Sequence, residues 1–391
     1  MGPAAIGMGV RRPGDEGRRL LCSPGERCVH GAALRFPTRT PRAPISRAPR
    51  ALQTLRSLAL PTVLLALVAC SSLPGFAEDP RPRVRGPLPA RNQHPLALTQ
   101  ISLRPRRPLT TPRGDATLAV GVSYSSIEEI GSIDEQAVSF DGELLRIDSR
   151  LRYGLSGRSD LEVELPLLFT TSGFLDAFIE SWHELLTLPG GGRTYVEDDQ
   201  WQMTISDGDD VLFELEEDRL ALGDLALIYT SLFQEEGKRV PAMAWRVGVE
   251  LPTGSESAGF GNGALDFGLG LAGEKNLGRV TSTFGLAWRM PGQSEGFCAS
   301  SAHELENAID LQLGGEYRWN DSLSLLGQLI WSGPMMSSIP VEEIDQEILD
   351  LGLGLAWDTG EESRLSFSFH EDLVAATGPD FSLLVSWHRD F

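Results

Sequence analysis

The sequence predicts an all-β fold: one antiparallel transmembrane β-barrel of about twelve strands. Three observations predict it. Segments of about nine to eleven residues alternate apolar and polar side chains, the connections between them alternate short and long, and the aromatics of the apolar face gather near strand ends. Period-two alternation puts one set of side chains on each sheet face. The segment length is what a tilted strand needs to cross a bilayer.

The N-terminal part reads as export machinery. Arg56 precedes an apolar stretch from Leu58 to Ala69, and the small residues Gly75 and Ala77 suit a cleavage site before Glu78. Residues 1–77 therefore form a targeting region. Residues 1–55 are too long for an ordinary leader and fit a start codon placed too far upstream or an extended targeting segment. Leu67-Val68-Ala69-Cys70 matches a bacterial lipobox, so lipidation at Cys70 is the alternative to cleavage after Ala77. Cys22 and Cys28 lie in the same region and leave Cys298 alone, so no internal disulfide framework is expected.

Charge divides along the chain. Residues 1–77 carry 11 Arg, no Lys and 3 acids, a net of +8, which leaves −28 for the remainder of a chain whose total is −20. So acidic a remainder will not seek nucleic acid or anionic lipid. Hydrophobic content is 41%, and no run of about 18 apolar residues follows the targeting region, which excludes a helical transporter but not a barrel. Residues 78–114, rich in Pro and Arg, read as a periplasmic lead-in with little order.

From 115 to 391 the barrel theme runs. Residues 116–124 alternate through Leu118, Val120, Val122 and Tyr124; residues 145–153 through Leu145, Ile147, Leu151 and Tyr153; residues 161–169 through Leu161, Val163, Leu165 and Phe169. Further strands are predicted at 224–233, 242–251, 264–272, 279–288, 309–319, 322–331, 348–357, 364–370 and 381–391. Short connections fall at 154–160, 234–239, 273–278, 320–321 and 358–363, and longer ones at 125–144, 170–223, 252–263, 289–308, 332–347 and 371–380. Short periplasmic turns and long outer loops give this rhythm and place both barrel termini in the periplasm. On that topology Tyr153, Phe233, Trp319, Trp357 and Trp387 mark the periplasmic interface, and Tyr124, Phe169, Trp288, Trp331 and Phe369 the outer one.

The segment 170–223 departs from the pattern. Residues 174–188 place Leu175, Phe178, Ile179 and Trp182 on one helical stripe, a candidate helix at the mouth of the barrel that could gate it. A hairpin follows, with Trp201, Met203 and Ile205 against Val211, Phe213 and Leu215 around Asp207-Gly208. Should the 201–216 hairpin join the wall, the strand count becomes fourteen.

The final strand, with Phe381, Leu383, Val385, Trp387 and Phe391 on one parity, resembles the closing strand of bacterial outer-membrane barrels. The resemblance implies that Phe391 and Trp387 belong to the signal read by the barrel-insertion machinery, with outer-membrane lipid as the surrounding partner. The run Ser172 to Arg193, SGFLDAFIESWHELLTLPGGGR, together with Leu222-Gly223-Asp224, resembles the bacterial domain-of-unknown-function 3187 family of outer-membrane β-barrel proteins over about residues 110–391. It implies envelope location and architecture, and no catalytic residues.

Other motifs dissolve on inspection. Gly268-Leu-Gly270-Leu-Ala-Gly273 matches GxGxxG, but a turn and a strand follow where a dinucleotide site needs a helix. His183-Glu184 and His303-Glu304 each lack the second His of a zinc protease. Asp207 to Asp210 lacks the calcium-loop spacing. No enzyme activity, metal or cofactor is expected.

The polar parity is richer. Arg146, Asp148, Arg150, Arg152, Glu162, Glu164, Arg246, Glu250, Asp266, Arg279, Asp310, Glu316 and Arg318 all fall on it and are candidate lumen-lining residues. Charges of both signs can cross-link a filled interior or line a wet pore. The chain therefore reads as a barrel that passes or binds a small solute, with a plugged structural or surface-interaction barrel as the alternative and an outer-membrane hydrolase as the third.

Overall fold

Alternation becomes geometry in the computed structural model, which describes residues 83–173, 201–293, 303–373, 378–379 and 381–391. The targeting region with Cys70, the stripe of Leu175, Phe178, Ile179 and Trp182, and Cys298 lie outside the described residues.

The wall opens with β1 (Ala116–Ile133), β2 (Gln136–Ser156) and β3 (Ser159–Thr171). Three short strands follow: β4 (Gln202–Asp207), β5 (Asp210–Glu214) and β6 (Leu220–Leu222). The wall resumes with β7 (Leu225–Gln234), β8 (Ala242–Leu251), β9 (Asp266–Leu277), β10 (Val280–Met290), β11 (Ala308–Arg318) and β12 (Leu323–Ser332). It ends with β13 (Ile348–Asp358), β14 (Ser363–Asp372) and β15 (Phe381–Asp390). Each wall strand pairs antiparallel with the next, β3 pairs with β7, and β15 returns to β1. The ring is closed and twelve-stranded, with β4, β5 and β6 outside it. Closure leaves the ring itself without an unpaired edge.

Burial follows strand parity. Leu151, Leu165, Leu269, Leu286, Leu325, Leu353, Phe367 and Val385 are exposed on the outer face, while Arg146, Asp148, Glu164, Thr230 and Ser324 are buried inside. This inverts the distribution of a water-soluble protein and suits a wall standing in hydrocarbon. Tyr153, Phe233, Trp319 and Trp357 are exposed at the short-turn end and Trp288 towards the loop end, so rings flank the apolar band. No helix among the described residues is long and apolar enough to cross a membrane.

Two expectations are corrected. The connection 125–144 is no loop: β1 and β2 run on as one hairpin, Ser126↔Glu143 to Ile133↔Gln136, and turn at Asp134, whose φ is 51°. The 201–216 hairpin does not join the wall, so the count stays at twelve. β4 pairs instead with the projecting part of β2, from Gln136↔Asp207 to Asp141↔Gln202. Met203, Ile205, Phe213 and Leu215 are buried as the pattern implies, but Val211 is exposed, because the β4–β5 register shifts between Ile205 and Ser206.

That hairpin seals the loop end. Met203, Ile205 and Phe213 join Phe140, Leu168, Phe260, Met336, Ile339 and Ile344 in one apolar cluster over the opening.

Candidate functional site

The lumen is occupied by the chain itself. Residues 83–113, read from sequence as a lead-in with little order, form a strap that enters at the short-turn end, climbs to the loop end and descends to β1. On the way up, Leu88 packs with Leu326 and Ala356, and Ala90 with Ile330 and Leu384. At the top a four-residue helix, Pro95–Leu98, is buried in the apolar cluster. On the way down Leu103 packs with Ile228 and Ala287, and the Gly114 N–H finally bonds the Gly154 carbonyl at 2.9 Å.

The wall is shaped for it. A Cβ on Gly248 would stand 2.8 Å from Ile101 Cδ1 and 2.9 Å from Leu103 Cδ2, and one on Gly270 3.0 Å from Leu103 Cδ1. Glycine on the inner face of β8 and β9 therefore lets the descending limb lie against the sheet. This is what Gly268 and Gly270 of the GxGxxG run do, whereas Gly273 lies under the Phe284 ring on the outer face.

An irregular strap carries backbone groups that need partners. Wall side chains supply them. Glu316 Oε2 accepts from the N–H of both Arg85 and Gly86 at 2.8 Å, Asp266 Oδ2 from Ile101 N–H at 2.9 Å, and Asp160 Oδ2 from Thr111 N–H at 2.9 Å. In the other direction Arg246 donates to the Arg104 carbonyl at 2.6 Å and Gln312 to the Leu103 carbonyl at 2.9 Å.

The strap arginines meet wall carboxylates. Arg104 grips Asp148 with two bonds of 2.8 Å and reaches Glu164 at 2.7 Å, while Arg146 holds the same two acids at 2.6 and 2.9 Å. Arg106 lies 2.9 Å from Asp160, and Arg107 clamps Glu274 at 2.6 and 2.7 Å. Arg85 bonds Asp358 at 2.8 Å. Planar guanidinium forks match carboxylates two bonds at a time, which fixes position as well as charge. At the top, Leu96 N–H donates to His94 Nδ1 at 3.1 Å, so the ring proton sits on Nε2 and points to Glu129 at 3.0 Å. Burial pushes the His94 imidazole down to about 3, so it is neutral.

Of the residues named from sequence, Arg146, Asp148, Arg150, Glu162, Glu164, Arg246, Glu250, Asp266, Asp310 and Glu316 are buried on the inner parity. Arg152 pairs with Glu162 at 2.9 Å, and its side chain is partly exposed. Arg318 is half-buried and donates to the Gly278 carbonyl at 2.6 Å. Arg279 is not in the lumen: it stands exposed just before β10, where the chain turns and parity no longer assigns a face. Phe391 is exposed, Trp387 is half-buried, and the Arg389 guanidinium lies 5.1 Å from the Phe391 ring centre.

Sequence reasoning missed Arg85, His94, Arg104, Arg106 and Arg107, and their wall partners Asp160, Glu274 and Asp358. A signal was present. Residues 83–113 hold seven Arg and no Asp, Glu or Lys, ahead of a strongly acidic barrel.

The strap leaves a cavity of about 550 Å³ at the short-turn end, lined by Arg106, Arg150, Arg152, Arg364, His388 and the hydroxyls of Thr117, Ser366 and Ser386 among others. Here Arg150 is unusual. It is buried, yet it makes no hydrogen bond or ion pair, unlike every other buried arginine among the described residues.

Several solved barrels align with the chain. An outer membrane channel from Pseudomonas putida F1 aligns at 19% identity over 74% of this chain and 100% of that chain, with a TM-score of 0.49. The KdgM porin in complex with disordered oligogalacturonate aligns at 9% identity over 70% of this chain and 99% of its own, TM-score 0.36. The P. putida toluene transporter TodX aligns at 12% over 77% and 93%, TM-score 0.32. No curated protein matches the chain in sequence. The family model described as Protein of unknown function (DUF3187) matches residues 64–391, and the chain belongs to that family.

Proposed function

We propose that the protein is an outer-membrane barrel in which an N-terminal strap controls the passage of a small solute. The observation that carries this reading is the strap itself, which runs the length of the lumen and back and is pinned by Arg85, Arg104, Arg106 and Arg107. It fills the loop end and leaves the vestibule of about 550 Å³ open at the short-turn end. Short connections at that end and long loops at the other support a periplasmic position for the vestibule. The exposed ring of Phe391 at the end of β15 supports its reading as an insertion signal. The second reading, a permanently plugged structural barrel, is favoured by the apolar cluster over the loop end.

Single-channel recording in planar bilayers tests the choice. The intact chain should show rare or no openings. A chain lacking 83–113, or one carrying Arg104→Ala with Arg107→Ala, should open steadily. Steady full-size openings of the intact chain overturn strap control, and silence from a demonstrably folded strap-less barrel favours the plug.

A further inference from the structure

We propose that the vestibule at the short-turn end is a binding site for a small oxyanion, a carboxylate or a phosphate, centred on Arg150 with His388 and Arg364 completing it. The argument starts from Arg150, 8% exposed and without any hydrogen bond or ion pair. A buried guanidinium with no hydrogen-bonded counter-ion is costly, and the acids nearest in the sheet are already engaged by other arginines. Glu164, its partner in the β2–β3 register, is held by Arg104 and Arg146, and Glu162 is held by Arg152. Protein groups do not complete Arg150; the cavity it lines is where a counter-charge can enter.

Register places an imidazole and a second guanidinium across from it. Arg150 pairs with Ala119, Ala119 with His388, and His388 with Arg364, so the four residues form one inward row on β2, β1, β15 and β14. Strands lie about 4.8 Å apart, which sets Arg150 and His388 roughly 10 Å apart at the backbone, with only the Ala119 methyl between them. Long side chains on either side of that gap can converge on one small anion. His388 lies 3.6 Å from Asp390, and Arg364 reaches Asp358 at 3.2 Å and donates to the Arg85 carbonyl at 2.9 Å. Thr117, Ser366 and Ser386 add hydroxyl groups to the lining. The volume of about 550 Å³ lies within the range of small-molecule sites. Asp115, Glu362 and Asp390, which also line the cavity, disfavour bulky polyanions.

This inference rests on the barrel reading for the face it uses, but not on any movement of the strap. Conductance reads the strap and equilibrium binding reads the anion site, so the two can fail separately. Calorimetric titration of the full chain in detergent, at ionic strength held constant with sodium chloride, should show saturable binding of inorganic phosphate or of succinate. The tighter probe assigns the anion class. Arg150→Gln should weaken binding by about tenfold or more while the protein still folds, because it removes no hydrogen bond or close ion pair. Should that variant fail to fold, Ala119→Leu fills the gap without touching a charge and should abolish binding. Absence of saturable binding for both probes in folded protein, or unchanged binding in a folded variant, overturns the site.

Discussion

The two ends of the lumen hold the same strap by different physics. At the loop end it is gripped by apolar burial: the Pro95–Leu98 helix sits among Phe140, Met203, Phe213 and Ile339, with His94 edge-on to Phe140 at 4.8 Å. At the short-turn end Arg85, Arg106 and Arg107 are gripped by Asp358, Asp160 and Glu274 beside an open vestibule. Apolar contact resists water. Ion pairs beside water can exchange partners with it, and pairs near solvent are the ones salt screens. The short-turn end is therefore where the strap can loosen first, and the loop end is the anchor.

The largest effect should come from the mid-lumen knot that joins the two regimes. Arg104→Met leaves Asp148 and Glu164 buried with Arg146 as their shared partner. Breaking a buried pair from one side costs about 3–5 kcal/mol. Denaturant titration of protein folded into lipid vesicles should show that loss, together with easier trypsin cleavage at the strap arginines. An unchanged midpoint would mean that the knot does not tie strap to wall.

Next comes the wall. Phe284 stands on the outer face over Gly273, and Thr283 beside it is buried inside. Phe284→Arg should cost about 2–4 kcal/mol near mid-bilayer. Thr283→Arg should cost less, because it enters a polar interior. Equal damage in the same titration would break the inside–outside assignment.

A smaller effect tests the fit of the strap alone. Gly248→Ala adds a methyl within 3 Å of both Ile101 and Leu103. Overpacking of this kind costs about 1–3 kcal/mol, and the descending limb should become more protease-sensitive while the barrel remains closed.

The wall was legible in the sequence and the strap was not, for a physical reason. A strand carries its own period, so residues 242–251 could be read as the strand that became β8, and parity alone put Asp148 and Glu164 inside. Parity fails where strand geometry stops, as at Arg279, or where the register shifts, as at Val211. The family signature in Ser172 to Arg193 was also readable, although the geometry of that run lies mostly outside the described residues. The strap has no period. Its six prolines prevent a regular ladder, and its order comes from carboxylates contributed by strands remote in sequence, such as Glu274 for Arg107 and Glu316 for Arg85. Local reasoning could register only the complementary charge. The long β1–β2 hairpin was missed because residues 125–144 hold Ser, Glu, Gly and Asp, which strand preference disfavours or ignores, while β4 and the loop-end cluster sustain the pairing from outside.

The smallest expected effect distinguishes the anchor from the knot by pH. His94 is buried at the loop end, its Nδ1 accepting from Leu96 and its Nε2–H directed at Glu129, and burial holds it down to about 3 against an ordinary 6.5. Its folded value is depressed, so the unfolded chain takes up the proton first. Stability contributed by the neutral ring is present above about pH 6.5 and is lost as pH falls towards 3. Between about pH 6.5 and about pH 5.5 the loss from this one group should be about 1 kcal/mol. His94→Gln keeps an acceptor and a donor but cannot titrate, so the same pH step should cost the variant about 1 kcal/mol less than the parent. The Arg104 knot, built on guanidinium, should give no such difference in Arg104→Met. If the parent and His94→Gln lose stability in parallel over that interval, the histidine is not held neutral, and the loop end is wetter than its packing implies.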